Sequence, residues 1–272
     1  MLLKLHTPNP PLSDFVELFT YYEDYAPTHS VERVLPEGVV EIIIDLTDEP
    51  KWMHDNETLK HSKSYRWAWV SGMRSRFISI GVAGRSAMFI IRFKSGKAYP
   101  FLQMPVSEID NQVVDSDAVF DSAFASYRTQ LIEAPTPRRK FQVAENFILQ
   151  RIRNHFEIHP AVSYVVNEVM RNPSTATIGC IIQQTGYTHK HLLSLFNKYV
   201  GLSPKQFVRL TRFQHAVLHI ERSKQIDWMQ VANDCGYYDQ SHFIKDFKEF
   251  SGFSPSEYVQ RKYEFVNYVP ML

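Results

Sequence analysis

One pattern occurs twice near the end of this chain, about fifty residues apart. The first copy reads Gly186-Tyr187-Thr188, then Leu192, Leu195-Phe196, Tyr199, Gly201, Ser203-Pro204 and Phe207. The second reads Gly236-Tyr237-Tyr238, then Phe243, Phe247, Phe250, Gly252, Ser254-Pro255 and Tyr258. A fixed period of this length marks a duplicated supersecondary unit. Each copy is too short to bury a core alone, so the two must share one.

The local chemistry says what each copy is. Ile178, Ile181 and Ile182 recur at helical spacing and stop at Gly186, a residue suited to a helix C-terminus. Thr188 offers an N-cap hydroxyl, and Leu192, Leu195, Phe196 and Tyr199 then follow at i, i+3, i+4 and i+7, one buried stripe. Two short helices joined by a glycine-containing turn make a helix-turn-helix. Trp228, Val231 and Ala232, then Gly236, then Phe243, Phe247 and Phe250 repeat it. Both copies close on Ser-Pro followed by Gln206 or Glu257 at N3, a capping box with proline at the first helical position. Nothing breaks the helical pattern from Pro204 to Ile220, so a connecting helix of roughly 25 Å is expected.

In order, caps and spacing, residues 176–261 resemble the AraC family of bacterial transcription regulators. Ser241-His242-Phe243, and Arg212 with Ala216, extend the match. The resemblance implies an all-α domain of two helix-turn-helices and double-stranded DNA as partner. Tyr238 stands where a Ser cap is usual in that family, so Asp239 is expected to cap the second recognition helix instead. Ser194 stands where many relatives carry Arg, and Ile182 where a small Ala is usual.

The faces left after the core stripes are assigned are the expected DNA contacts. On the first recognition helix and its cap these are Thr188, His189, Lys190, His191, Ser194, Asn197 and Lys198, with Leu193 beside them. On the second they are Asp239, Gln240, Ser241, Ile244, Lys245 and Lys248. Gln, Asn and Lys reach base edges, Ile or Leu touches a thymine methyl, and Lys meets phosphate. Lys205, Arg209 and Arg212 on the connecting helix extend a local basic stripe. The whole chain is nearly neutral, with 30 Lys and Arg against 29 Asp and Glu, which excludes a histone-like binder working by bulk charge. His189, His191, His215 and His242 add charge only below about pH 6.5.

Upstream the period becomes strand-like, over residues 39–46, 66–70, 76–80 and 87–93, each bounded by Gly or Ser clusters. This predicts a small antiparallel sheet or barrel. The polar stretch 51–63 reads as a loop, and helices are expected over 119–131 and 138–156 with a turn at Pro135 and Pro137 between them. The fold class is thus α+β: an amino-terminal domain over 1–157 and an all-α double helix-turn-helix domain over 158–272. Leu35-Pro36-Glu37-Gly38, Ile91-Arg92-Phe93-Lys94-Ser95-Gly96, Pro105 and Glu108-Ile109-Asp110 are similar to an uncharacterised domain found ahead of AraC-type tails. That likeness covers residues 8–150 and implies a sensing or dimerising module without naming a ligand. Trp67 and Trp69, two apart on one expected strand, share a face. They are either core or, with Glu41 and Arg92, the wall of a small-molecule site.

Other function classes fare poorly. The expected strands hold no His for a metal enzyme of the cupin type, His54 and His61 falling in the polar loop. There is no phosphate-cradling glycine loop or nucleophile elbow, and no Cys in the amino-terminal half. No catalytic residue, metal or cofactor is expected. Met1-Leu2-Leu3-Lys4-Leu5, stopped by Pro8, is too short for a signal peptide, and no apolar run reaches membrane-spanning length. Cys180 and Cys235 read as small helix residues packed in a reduced cytoplasm, the expected compartment. The expectation is a ligand-responsive, DNA-binding transcription regulator, with a small-molecule effector, RNA polymerase and a second copy of the amino-terminal domain as further candidate partners. The alternative, kept open by Ser194 and the low charge, is a ligand-binding or protein-interaction module whose degenerate tail no longer reads specific DNA.

Overall fold

The computed structural model describes residues 1–120, 123–152 and 158–271. The expected end of the second helix near Phe156, and the boundary after residue 157, lie outside them. Among the described residues the amino-terminal half is built from β1 (Leu2–His6), β2 (Val16–Tyr25), β3 (Val31–Val34), β4 (Glu41–Asp45), β5 (Lys51–His54), β6 (His61–Tyr65), β7 (Ala68–Ser71), β8 (Ile78–Gly81), β9 (Ser86–Phe93) and β10 (Val113–Asp115). Helices α1 (Tyr99–Leu102), α2 (Ala123–Glu133) and α3 (Pro137–Ile152) accompany them. The all-helical part comprises α4 (Pro160–Arg171), α5 (Ile178–Thr185), α6 (His189–Tyr199), α7 (Pro204–Arg222), α8 (Trp228–Asp234), α9 (Gln240–Ser251) and α10 (Pro255–Arg261). A last strand, β11 (Tyr268–Pro270), follows it.

Two antiparallel sheets form, in the orders β1-β2-β9-β4-β7-β10 and β11-β3-β8-β5-β6. Strand alternation divides the first sheet cleanly. Phe19, Phe89, Ile91 and Phe93, all fully buried, face the helices, where Phe141 of α3 meets Phe19 and Phe89 at ring distances of 6.5 and 5.7 Å. Leu18, Thr20, Ile90 and Arg92, their neighbours in sequence, face a cavity between the two sheets. The layers are therefore helices, sheet, cavity, sheet.

Two expectations are corrected here. The stretch 51–63 is not a loop throughout. Lys51 pairs with Tyr65 and Trp52 with Ser64 in a hairpin at the edge of the second sheet, closed by Asp55, whose carboxylate accepts from the Thr58 amide at 2.8 Å. An edge hairpin leaves most of β6 in solvent, so its polar residues hid the strand. His54 and His61 consequently stand on strands, rings 4.8 Å apart, though no group of three ligating side chains gathers around them or elsewhere among the described residues. Trp67 does not share a strand face with Trp69: its backbone is left-handed (φ 68°), it precedes β7, and its side chain is exposed.

The hydrophobic core runs without a break from the sheet into the helical half. Leu210 and Phe207 of α7 lie against Gly38, and Val162, Val166 and Val200 lie against Gly96. Lys97 donates to Ser163 of α4 at 3.0 Å. No helix among the described residues is long and apolar enough to cross a membrane.

Candidate nucleic-acid interface and adjoining cavity

Both helix-turn-helix units form as their caps dictate. Thr188 accepts from the His191 amide at 3.3 Å, and Asp239 accepts from the His242 amide at 2.7 Å, so the aspartate supplies the cap that Tyr238 cannot. Ser203 with Gln206, and Ser254 with Glu257, close reciprocal capping boxes that start α7 and α10. Leu192 and Phe196 of α6, and Phe243, Phe247 and Phe250 of α9, are buried. The connecting helix α7 carries Phe213 and Leu210 between them, Phe213 meeting Phe247 and Phe250 at 5.1 Å each.

The opposite faces are open. Thr188, His189, Lys190, His191, Ser194 and Asn197 are exposed on the first unit; Asp239, Ser241, Ile244, Lys245 and Lys248 are exposed and Gln240 half-buried on the second. Tyr238, beside the Asp239 cap, is 91% exposed, the most exposed of the large hydrophobic side chains. Its position just before α9, with no cap duty, is the signal that makes it a further candidate on that face. His191 stacks on Tyr187 at 4.9 Å, and Lys198 lies over the Tyr99 ring at 4.7 Å, turned toward the amino-terminal half.

Arg209 and Arg212 correct the expected basic stripe, because both spend their guanidinium on protein acceptors. Arg209 donates to Asp246 at 2.7 and 3.2 Å and to Glu249 at 2.7 and 3.3 Å. Those hydrogen bonds, from Asp246 first, hold it above the usual arginine range. The pairing neutralises a buried Asp246 on α9 and locks that helix onto α7. Arg212 donates to the carbonyls of Pro173 at 2.9 Å and Ala176 at 3.2 Å, pinning the turn between α4 and α5. Lys205, at the start of α7, stays exposed. Of the two cysteines, Cys235 is buried, its thiol pushed up to about 12 by burial, whereas Cys180 is exposed rather than packed.

The cavity between the sheets has a volume of about 440 Å³. Trp69, Glu41 and Arg92 line it; Trp67 does not. One end is charged: Arg92 donates to Glu37 at 2.7 and 2.9 Å and pairs with Glu41 at 2.9 Å. Burial pushes the Glu41 carboxyl up, against the pull of Arg92. Burial likewise lowers the buried Arg74 guanidinium, which lines the same end and donates to the Val34 carbonyl at 3.2 Å. The remaining wall is mostly apolar and aromatic, including Trp52, Ile78 and Ile80 from the second sheet and, unexpectedly, Phe265 and Tyr268 from beyond the last helix. No sequence pattern ties those two to the cavity, because a three-residue strand has no period to read.

Comparison with known proteins matches residues 181–261 to a helix-turn-helix domain family and residues 4–115 to a domain of unknown function, DUF6597. The lactose operon transcription activator of Staphylococcus xylosus is 28% identical over 149 residues, 54% of this chain and 50% of that protein. The transcriptional activator AarP of Providencia stuartii is 32% identical over 78 residues, 29% of this chain and 57% of that protein. The chain thus spans little more than half, at most, of the length of these relatives. The solved structure of ToxT from Vibrio cholerae aligns over 89% of this chain and 98% of its own, with 12% identity and a TM-score of 0.49. Over residues 181–261 the chain is an AraC-type helix-turn-helix domain, and it stands behind an amino-terminal domain of unknown function.

Proposed function

We propose that this protein is a sequence-specific DNA-binding transcription regulator in which α6 and α9 enter successive major grooves. The observation that carries the reading is the pair of capped helix-turn-helix units on one continuous helix, each burying an apolar stripe and leaving a polar face open. Lys190, Ser194 and Asn197 on the first unit, and Gln240, Ile244, Lys245 and Lys248 on the second, are the expected base and phosphate contacts, with Lys205 on the backbone. A stiff connection favours two helices about 34 Å apart on one face of the duplex, so one chain covers an asymmetric site of roughly 20 base pairs. Selection of binding sites from random DNA, followed by footprinting, tests this. Recovery of a strict palindrome held by two chains, each using one unit, would contradict it.

The amino-terminal half is read as the sensing domain and its cavity as a small-molecule effector site, with Glu41, Trp69 and Arg92 in the wall. A volume near 440 Å³ with a mainly apolar lining and a few convergent polar groups is what such sites have. Enzyme activity is not part of the proposal; the cytoplasm is its expected compartment. RNA polymerase, and a second copy through the amino-terminal domain, are further proposed partners.

A further inference from the structure

The chain does not end at its DNA-binding units. Tyr258 of α10 and Lys262 just after it both bond Glu221 of α7, at 2.9 and 3.0 Å, and residues 263–271 then run back onto the amino-terminal half. There β11 pairs antiparallel with β3, Tyr268 opposite Val34, Val269 opposite Arg33 and Pro270 opposite Glu32. The Leu35 amide donates to the Asn267 carbonyl at 2.9 Å and the Met271 amide to Val31 at 3.0 Å, so the ladder is closed at both ends.

The β3–β11 ribbon, the edge of the five-stranded sheet, has one face in the cavity and the other against the DNA-binding half. Glu32, Val34 and Tyr268 face the cavity. Arg33, between the first two, points the opposite way, as strand alternation requires. Its guanidinium lies 4.0 Å from the Phe77 ring and 4.4 Å from Phe253, and it donates to the Ser251 carbonyl at the end of α9 at 3.3 Å. Val269, beside Arg33, is fully buried. Asn267 exchanges amide hydrogen bonds with Gln214 of α7, at 3.0 and 3.3 Å, and Gln214 also donates to Pro36 at 2.7 Å. A molecule in the cavity therefore touches the same strands that hold α7 and the end of the second recognition helix.

We infer that the β3–β11 ribbon is the element through which occupation of the cavity reaches the DNA-binding half, and that the occupant is an uncharged, largely apolar molecule with a hydrogen-bond acceptor for Arg74. The inference rests on the effector-site reading above. The charged end already balances Glu37 and Glu41 against Arg74 and Arg92, so a further full charge there would be buried without a partner. Arg74 has five N–H donors to offer and makes one hydrogen bond among the described residues, to Val34. An occupant resting on Phe265 and Tyr268 loses that wall when the tail leaves, so binding and strand pairing favour each other, reciprocally.

The test uses the full chain with neutral N-phenylnaphthylamine as the probe. Binding is read as energy transfer from Trp52 and Trp69 in a background with Trp67→Phe and Trp228→Phe, and the response as amide hydrogen exchange. The expected result is that the probe slows exchange at Leu35 and Met271 about tenfold, with a parallel slowing over residues 204–214. Asn267→Gly, which tolerates the left-handed backbone there (φ 69°), and Gln214→Leu should each keep the effect at Met271 and lose it over 204–214. Energy transfer with unchanged exchange at Met271, or a response over 204–214 that survives both variants, would overturn the relay and leave the effector site standing. Absence of energy transfer would remove the effector site and the relay with it. Anionic anilinonaphthalene sulfonate binding as tightly as the neutral probe would overturn the assigned ligand class.

Discussion

The two helix-turn-helix units repeat one sequence pattern but not one environment. The first stands open: Gly186 at its turn has nothing within 4 Å of where a Cβ would sit, and Cys180 on α5 is exposed. The second is clamped. A Cβ on Gly236 would meet the Ser174 carbonyl at 2.1 Å, the very turn that Arg212 pins, and buried Asp246 ties α9 to Arg209. At the place of Asp246 the first unit has Leu195, half-buried, with no ionic tie. Duplication fixes the shape of a unit, and the neighbours decide how rigidly it is held. By that measure the second helix-turn-helix unit is the more rigidly held, and the first is the one with room to adjust.

The sharpest way to break this contrast is to add the same methyl to both turns. Gly236→Ala should cost about 3–5 kcal/mol, from the clash with Ser174 together with the left-handed backbone. Gly186→Ala should cost only about 1–2 kcal/mol, because backbone conformation alone opposes it. Urea unfolding of the two variants decides it, and equal costs would mean that the units are equally clamped. Next, Arg209→Ala should destabilise by about 3 kcal/mol, since it strands a buried carboxylate. The double change Arg209→Met with Asp246→Leu, which replaces the ion pair by an apolar pair, should recover most of that loss. A DNA-contact role for Arg209 would instead show as weakened DNA binding at unchanged stability.

Smaller effects refine the picture. Thr188→Ala and Asp239→Ala should each cost about 1 kcal/mol by removing an N-cap, measurable as a shift in the urea midpoint. Smallest of all, and without an energy attached, is thiol access. Native protein should titrate one cysteine promptly, Cys180, while Cys235 reacts only on unfolding, because its buried thiol resists ionisation. Two prompt thiols would mean that the second unit opens as readily as the first.

How far the sequence carried depended on whether structure was written locally. Caps, turn glycines and stripes at i, i+3, i+4 are short-range, so both units, the connecting helix and the Asp239 cap were legible. The strands β4, β7, β8 and β9 were also legible, β9 most of all, whereas β1, β2 and β3 were not expected. What escaped was non-local. The hairpin β5–β6 is polar because it sits at an edge, β11 is three residues long and owes its strand to β3, and Trp67 leaves its strand through a left-handed backbone angle. The candidate site divided in the same way. Exposed faces of α6 and α9 followed from periodicity, whereas the partners of Arg209 and Arg212 lie 37 and 39 positions away in sequence and carry no local sign. Glu41, Trp69 and Arg92 were found for the cavity wall, but Phe265 and Tyr268 only through the fold.

The central claim is that the open face of α9 reads bases while the clamped residues behind it only hold the helix. The most direct measurement is a gel-shift titration, at several salt concentrations, of wild type, Gln240→Ala, Lys245→Ala and Lys205→Ala against a selected site and against random DNA. Gln240→Ala and Lys245→Ala should lose about 1–3 kcal/mol of preference for the selected site. Lys205→Ala should weaken both DNAs alike and flatten the salt dependence. If all three variants lowered selected and random binding equally, base reading by α9 would be contradicted.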